Sequence, residues 1–345
     1  MAFSQLSGCS LRAICSSVPA RIFDNLAETT AFDPGEVDKV VKMAGVRTRH
    51  IVSDGVCSSD LCIAAGKRVL TRLDWPPESV DALIFVTQSP DYFLPSTASL
   101  AHRGLGLADR CAVFDVGLGC SGYPYALWLA SMMLSGGGLK RVLVLHGETP
   151  SRFANNSDRA VALLFGDAGS ATALEADADT ARAPWFFSLH SDGAGWRDLI
   201  VEGGGFRDRT PTDPGKLFVT MNGANVFNFT IKRIPVLVEE TLRQSATHLE
   251  NVDYVVLHQS NLFIMKHLAN KMKIPAAKLP FTIQRFGSTG GPSVPLTITQ
   301  GDLTRPADRA LKLLLVGYGV GLSWGSALLD LPPETVLDHV VVERD

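Results

Sequence analysis

Apolar residues come in short, strand-length runs separated by longer stretches of helical period, and one such run occurs twice. Val80-Asp-Ala-Leu-Ile-Phe-Val-Thr-Gln-Ser returns as Val252-Asp-Tyr-Val-Val-Leu-His-Gln-Ser, with Asp81 and Asp253 172 residues apart. The same separation carries Lys140-Arg-Val-Leu-Val-Leu onto Lys312-Leu-Leu-Leu-Val-Gly. Two strands in step at one separation predict a duplicated α/β unit, with an N-terminal half over 1–180 and a C-terminal half over 181–345. The Ala- and Asp-rich residues 175–184 read as the junction. Chance similarity between two hydrophobic strands is the plain alternative.

These strands are apolar on both faces, which predicts a mixed or parallel sheet covered by helices. Gly136-Gly-Gly138 should stop a helix before a strand over 141–145, and Gly166-Asp-Ala-Gly169 breaks the chain before a strand over 170–174. Residues 203–215, rich in Gly, Arg, Asp and Pro, read as an exposed excursion, and residues 336–343 as an added sheet edge.

With 345 residues, 46% of them apolar, the chain can bury the core of one large or two medium domains. A net charge of −3 with no basic run argues against a nucleic-acid partner. No apolar segment approaches the roughly 18 residues of a membrane span. The opening Met-Ala-Phe-Ser-Gln-Leu-Ser-Gly lacks the charged start and long apolar stretch of a signal peptide. The cysteines at 9, 15, 57, 62, 111 and 120 form no Cys-x-x-Cys. A reduced, cytoplasmic enzyme is therefore expected, rather than a disulfide framework, a zinc site or a membrane protein.

Cys120 ends the apolar run that starts at Cys111 and opens Ser-Gly-Tyr-Pro-Tyr-Ala-Leu-Trp-Leu, which has helical period. This sets a thiol on a glycine-flanked turn at the N-terminus of a buried helix, where free N–H groups and the helix dipole favour the thiolate. A nucleophilic cysteine needs a histidine from another element. His146 and His258 each stand directly after an apolar strand, at the carboxyl end where ligands gather in such sheets. His258 is the stronger candidate: it replaces Val86 at the repeat position, and the polar Gln259-Ser-Asn261 follows it. A strand-end histidine bonded to a loop is the plain reading of His146. Phe286-Gly-Ser-Thr-Gly-Gly-Pro-Ser-Val-Pro-Leu offers a backbone able to approach another site closely. Val316-Gly-Tyr-Gly-Val-Gly leaves N–H groups uncovered, as an oxyanion hole requires.

Taken together and in this order, Gly119-Cys-Ser-Gly122, Phe165-Gly-Asp-Ala-Gly169, His258-Gln-Ser-Asn261, Gly287-Ser-Thr289 and Trp324-Gly-Ser-Ala-Leu resemble the ketoacyl synthase III branch of the thiolase superfamily. The resemblance covers essentially the whole chain. It implies an α/β, thiolase-like five-layer αβαβα fold of two pseudo-repeated halves, usually a homodimer. It also implies a 3-oxoacyl-(acyl-carrier-protein) synthase III-like acyltransferase of lipid metabolism and fatty acid biosynthesis. Cys120 matches the nucleophile that takes an acyl group from acyl-CoA or an acyl-carrier protein. Decarboxylative Claisen condensation with malonyl-acyl-carrier protein then yields the 3-oxoacyl thioester. His258 matches the histidine that assists deprotonation and stabilises the enolate, and Ser288 stands at the second enolate donor. The N–H groups of Cys120 and Val320 match the oxyanion hole. Arg152 falls near the coenzyme A mouth, and Phe93 and Leu94 on the loop that shapes the acyl pocket, often across the dimer. Asn261 and Phe227 complete the expected substrate-binding positions. No cofactor is implied, because coenzyme A or phosphopantetheine enters as part of the substrate.

Three departures from the family pattern bear on function. Ser288 replaces an asparagine in Gly-Asn-Thr, Phe263 replaces a carrier-docking arginine, and Lys39 and Met43 stand where an adenine clamp is usual. The first motivates an alternative, a non-decarboxylating acyltransferase that passes the acyl group from Cys120 to a hydroxyl, an amine or water. A non-catalytic partner in a heteromeric synthase is a further class. A cysteine hydrolase of α/β-hydrolase type would need glycine where Leu118 stands.

Overall fold

The computed structural model describes residues 2–136, 138–177, 179 and 182–343; Gly137 and the expected half boundary at 180/181 lie outside the described residues. The apolar runs assemble into two sheets. The first runs, in order, Val336–Val342, Cys9–Pro19, Ala168–Ala176, Arg141–Glu148, Ala82–Val86 and Ala112–Val116. The second runs Ala2–Leu6, Trp185–Ser191, Ser323–Leu331, Leu311–Gly319 and Tyr254–Leu257. Ala82–Val86 lies parallel to Arg141–Glu148, which is antiparallel to Ala168–Ala176. Tyr254–Leu257, Leu311–Gly319 and Ser323–Leu331 repeat that arrangement in the second sheet.

The repeat is displaced by one residue from its sequence reading. Ala82 pairs with Val142, but Tyr254 pairs with Leu313 and not Leu314, so the second strand is carried over by 171 residues. The repeated aspartate explains the register. The Asp81 carboxylate accepts the N–H groups of Lys140 and Arg141 (2.7 and 3.0 Å), and that of Asp253 accepts the N–H of Lys312 (2.8 Å). Bonding to Arg309 holds the Asp253 carboxyl below its ordinary range. Each sheet also borrows an edge from the other half. Ala2–Leu6 pairs with Trp185–Ser191, and Val336–Val342, the expected added edge, lies parallel to Cys9–Pro19.

Helices complete five layers. Helices Ser58–Leu73 and Thr97–Leu105 cover the outer face of the first sheet, and Gly223–Gln244 covers that of the second. Gly122–Gly136 and Ser293–Gln300 are sandwiched between the sheets. The former is apolar on nearly all sides, as a helix buried between two sheets must be, and its Tyr123 hydroxyl bonds Thr172 at 2.9 Å. It ends at Gly136, where the glycine run begins. No helix among the described residues is long and apolar enough to cross a membrane. The Gly-rich excursion is the tip of an antiparallel pair, Leu199–Val201 with Val219–Met221.

Candidate active site

The turn after Ala112–Val116, the end of Tyr254–Leu257 and the turn after Leu311–Gly319 meet at the inner ends of the central helices, where two cavities share Cys120. One, of about 440 Å³, is lined by His258, Ser260, Asn261, Ser288, Tyr318 and Met43 of helix Pro34–Ala44, among others. The other, of about 500 Å³, is walled mainly by Phe153, Phe165, Trp196, Leu199, Ile200 and Val201, with Gln88 and Glu148 as its polar edge. Phe165 and Leu199 border both. The flanks of the excursion read as merely exposed thus form a wall of the site.

Burial works against the thiolate expected at this helix start. Enclosure pushes the Cys120 thiol up to about 12, and the Glu148 charge adds to the rise. The backbone N–H groups of Val320 and of Cys120 itself bond the sulfur and pull the other way, without winning. Burial outweighs the helix terminus here because enclosure penalises the charged thiolate and leaves the neutral thiol unaffected. Both N–H groups thus reach the same atom, the Cys120 sulfur. The approach is so close that a Cβ at Gly319 would lie 3.0 Å from the Cys120 sulfur, so only glycine fits there.

His258 is buried, and its Nδ1 is 2.8 Å from the Ser293 hydroxyl, which also accepts the N–H of Gln259 at 3.1 Å. Burial lowers its pKa to about 4, so the imidazole is neutral at ordinary pH. Tyr318 packs edge-on against the ring at 5.4 Å and donates its hydroxyl toward the His258 carbonyl (3.3 Å). Ser288 is held by its backbone, its N–H donating to Leu164 and its carbonyl accepting from Gly166. Ser288 lines the cavity shared with Cys120 and His258.

Other expected positions fall differently. Asn261 lines the channel, but its side-chain oxygen caps helix Leu262–Met272 by accepting the N–H groups of Phe263 and Ile264. Arg152 lines neither cavity: its guanidinium donates to the carbonyls of Ser53 and Val56 (3.0 and 2.7 Å). Phe93 and Leu94 are 59% and 82% exposed and lie outside both cavities, Phe93 packing on Phe206 at 5.3 Å. Phe227 stacks on Phe263 at 6.1 Å beside the channel wall instead of forming it.

Glu148, Tyr318 and Ser293 border the site although the sequence pattern does not single them out. Glu148 ends the strand that carries His146, and Ser293 opens the helix after Ser288, so strand ends and helix starts were the available signals. The buried Glu148 carboxyl accepts the N–H of Gln88 and the hydroxyl of Ser89 (2.9 and 2.8 Å), and burial raises it to about 7. Its charge is one of the causes that hold the Cys120 pKa up. Glu148→Gln should therefore lower that pKa and speed iodoacetamide alkylation of Cys120 by about three- to tenfold. An unchanged rate would show that the charge does not act on the thiol.

All six cysteines are free thiols, and no group of three or more His, Cys, Asp or Glu residues that could hold a metal occurs among the described residues.

Comparison with known proteins fits this geometry. Residues 114–193 match the 3-oxoacyl-[acyl-carrier-protein (ACP)] synthase III profile, and residues 242–331 match its C-terminal counterpart. A putative 3-oxoacyl-[acyl-carrier-protein] synthase 3 of Campylobacter jejuni is 33% identical over 336 residues, 93% of each chain. A beta-ketoacyl-[acyl-carrier-protein] synthase III of Xanthomonas campestris is 32% identical, covering 90% of this chain and 98% of that one. Among solved structures, a 3-oxoacyl-(acyl-carrier protein) synthase from Burkholderia xenovorans superposes with a TM-score of 0.94 at 39% identity, over 99% of both chains. Both profiles fall on the elements that carry Cys120 and His258, and the likeness runs from end to end. The chain belongs to the 3-oxoacyl-[acyl-carrier-protein] synthase III family, with that family's thiolase-like fold.

Proposed function

We propose that this enzyme joins an acyl primer to a malonyl thioester with loss of carbon dioxide, in fatty acid biosynthesis. The observation that carries the reading is Cys120 at the junction of two cavities, one apolar and one bearing His258 and Ser288. The apolar cavity takes the acyl chain. The channel past Met43 and Asn261 takes the phosphopantetheine arm of coenzyme A or of acyl-carrier protein.

In the first half-reaction the Cys120 sulfur attacks the primer carbonyl, the oxyanion rests on the N–H groups of Cys120 and Val320, and the leaving thiolate takes the thiol proton. Each such donor is worth about 3–4 kcal/mol in comparable sites. In the second, malonyl-acyl-carrier protein loses carbon dioxide, and the enolate oxygen bonds His258 and Ser288. The enolate carbon attacks the Cys120 thioester, the C–S bond breaks, and the sulfur regains a proton from solvent. No cofactor enters beyond the substrate's own thiol carrier. The names of the relatives favour condensation over simple transfer to a hydroxyl, an amine or water.

The reading includes a cytoplasmic homodimer. The outer edge of Ala112–Val116 has no strand partner among the described residues, and Phe114 on it is exposed, as is Leu94. It also treats residues 1–180 and 181–345 as the two halves of one duplicated unit.

Intact-protein mass spectrometry with a panel of acyl-CoA and acyl-carrier thioesters, followed by malonyl-acyl-carrier protein, tests it. An acyl mass gain discharged as a carrier-bound 3-oxo product is expected; loading without such a product would overturn it. A serine hydroxyl reaches less far than an amide and offers one donor. Ser288→Asn should therefore raise malonyl decarboxylation by the acylated enzyme by about 30-fold or more, the worth of one charge-directed hydrogen bond. An unchanged rate would remove Ser288 from the donor role.

A further inference from the structure

His146 is buried completely, and among the described residues neither of its ring nitrogens has a hydrogen-bond partner. Its backbone is fixed between two strands, opposite Val86 and Ser170. Burial, and then the neighbouring His258, push its pKa down to about 3. It is therefore a neutral ring with one donor and one acceptor, and leaving both bare in a protein interior is costly.

Two glycines make room for this ring. A Cβ at Gly122 would lie 3.0 Å from its Cε1, and a Cβ at Gly291 would overlap both Cε1 and Nε2. The point that the Gly291 Cβ would occupy is also 2.5 Å from the Gly119 carbonyl oxygen. The imidazole is thus wedged between the turn Gly119–Gly122, which bears Cys120, and the loop that runs from Ser288 to Ser293, the partner of His258. The hydroxyl oxygen of Thr289 on that loop is likewise buried and has no partner among the described residues. Polar groups buried in this way are satisfied by internal water, which makes two to four bonds at once.

We propose that His146 is a positioning residue of the condensing site, tying the Cys120 turn to the Ser288–Ser293 loop through internal water on its ring nitrogens. It touches neither cavity, so it acts on the reaction only through the placement of Cys120 and His258. Small displacements of reacting groups lower kcat without changing how the thioester arm is held.

The test uses His146→Phe and His146→Gln in the full-length enzyme, with a high-resolution crystal structure of the wild type. The Phe variant keeps the shape and loses both polar atoms. It should show an unchanged KM for the acyl donor and a kcat lowered about tenfold, with Gln recovering most of the loss. Wild-type kcat in the Phe variant would overturn the proposal, as would equal loss in both variants with a raised KM. The crystal structure should place ordered water within hydrogen-bond distance of the ring, and a dry site would overturn the proposal even where the Phe variant does not fold. The inference rests on the condensing-enzyme reading, yet the two fail separately. A wild type that forms no 3-oxo product sinks that reading, whereas an active wild type beside an unaffected Phe variant sinks this one.

Discussion

Cys120→Ala should abolish the acyl mass gain and lower 3-oxoacyl formation at least about 10⁴-fold, the scale on which covalent catalysts lose their nucleophile. No other cysteine lines either cavity. Cys9, Cys15, Cys62 and Cys111 are buried elsewhere, with thiols raised by that burial. Cys57, half-buried at the start of helix Ser58–Leu73, is the remaining site at which stray acylation would show. The variant keeps His258 and Ser288, so slow release of carbon dioxide from malonyl-acyl-carrier protein should persist, uncoupled from product. Intact mass and product analysis read the two effects separately. An acyl adduct of undiminished yield on the variant would move the nucleophile away from Cys120.

That resting thiol is the point at which local sequence and tertiary environment part. The helix start after Cys120 was legible because Gly-Leu-Gly-Cys-Ser-Gly precedes an apolar helical run. The thiol's protonation was not, because it depends on Glu148 and on the cover supplied by residues far along the chain. His258 was legible as a polar residue at a strand end, while its anchor Ser293 comes from another element 35 positions on. Arg152 shows the converse: placed by motif, it is taken up by the carbonyls of Ser53 and Val56, which no local pattern announces. At the level of fold, the duplicated strands could be read from Asp81 and Asp253, since each aspartate closes a local register. The one-residue shift between the halves and the exchange of Ala2–Leu6 for Val336–Val342 needed the sheets themselves. The segment 336–343 reads as a sheet edge on its own, but which strand it joins depends on residues more than 300 positions away.

His258→Ala should separate the half-reactions that Cys120→Ala removes together. Loading from an acyl thioester should survive within about tenfold, because the Cys120 and Val320 N–H groups still receive the oxyanion and the leaving thiolate still takes the proton. Condensation should fall by about 10²–10⁴-fold, since enolate formation loses its principal donor and Ser288 alone faces the charge. The pH dependence follows from the same environment. Burial lowers His258 to about 4, so the wild-type ring is neutral from pH 5 upward and its protonation removes activity only as the pH falls toward 4. An acid limb centred near the ordinary histidine value of about 6.5 would contradict the buried, Ser293-anchored geometry. Stopped loading assays with labelled acyl thioester, run beside carbon dioxide release, distinguish the cases. Equal loss in both half-reactions would make His258 the base for Cys120 itself and leave the enolate to Ser288.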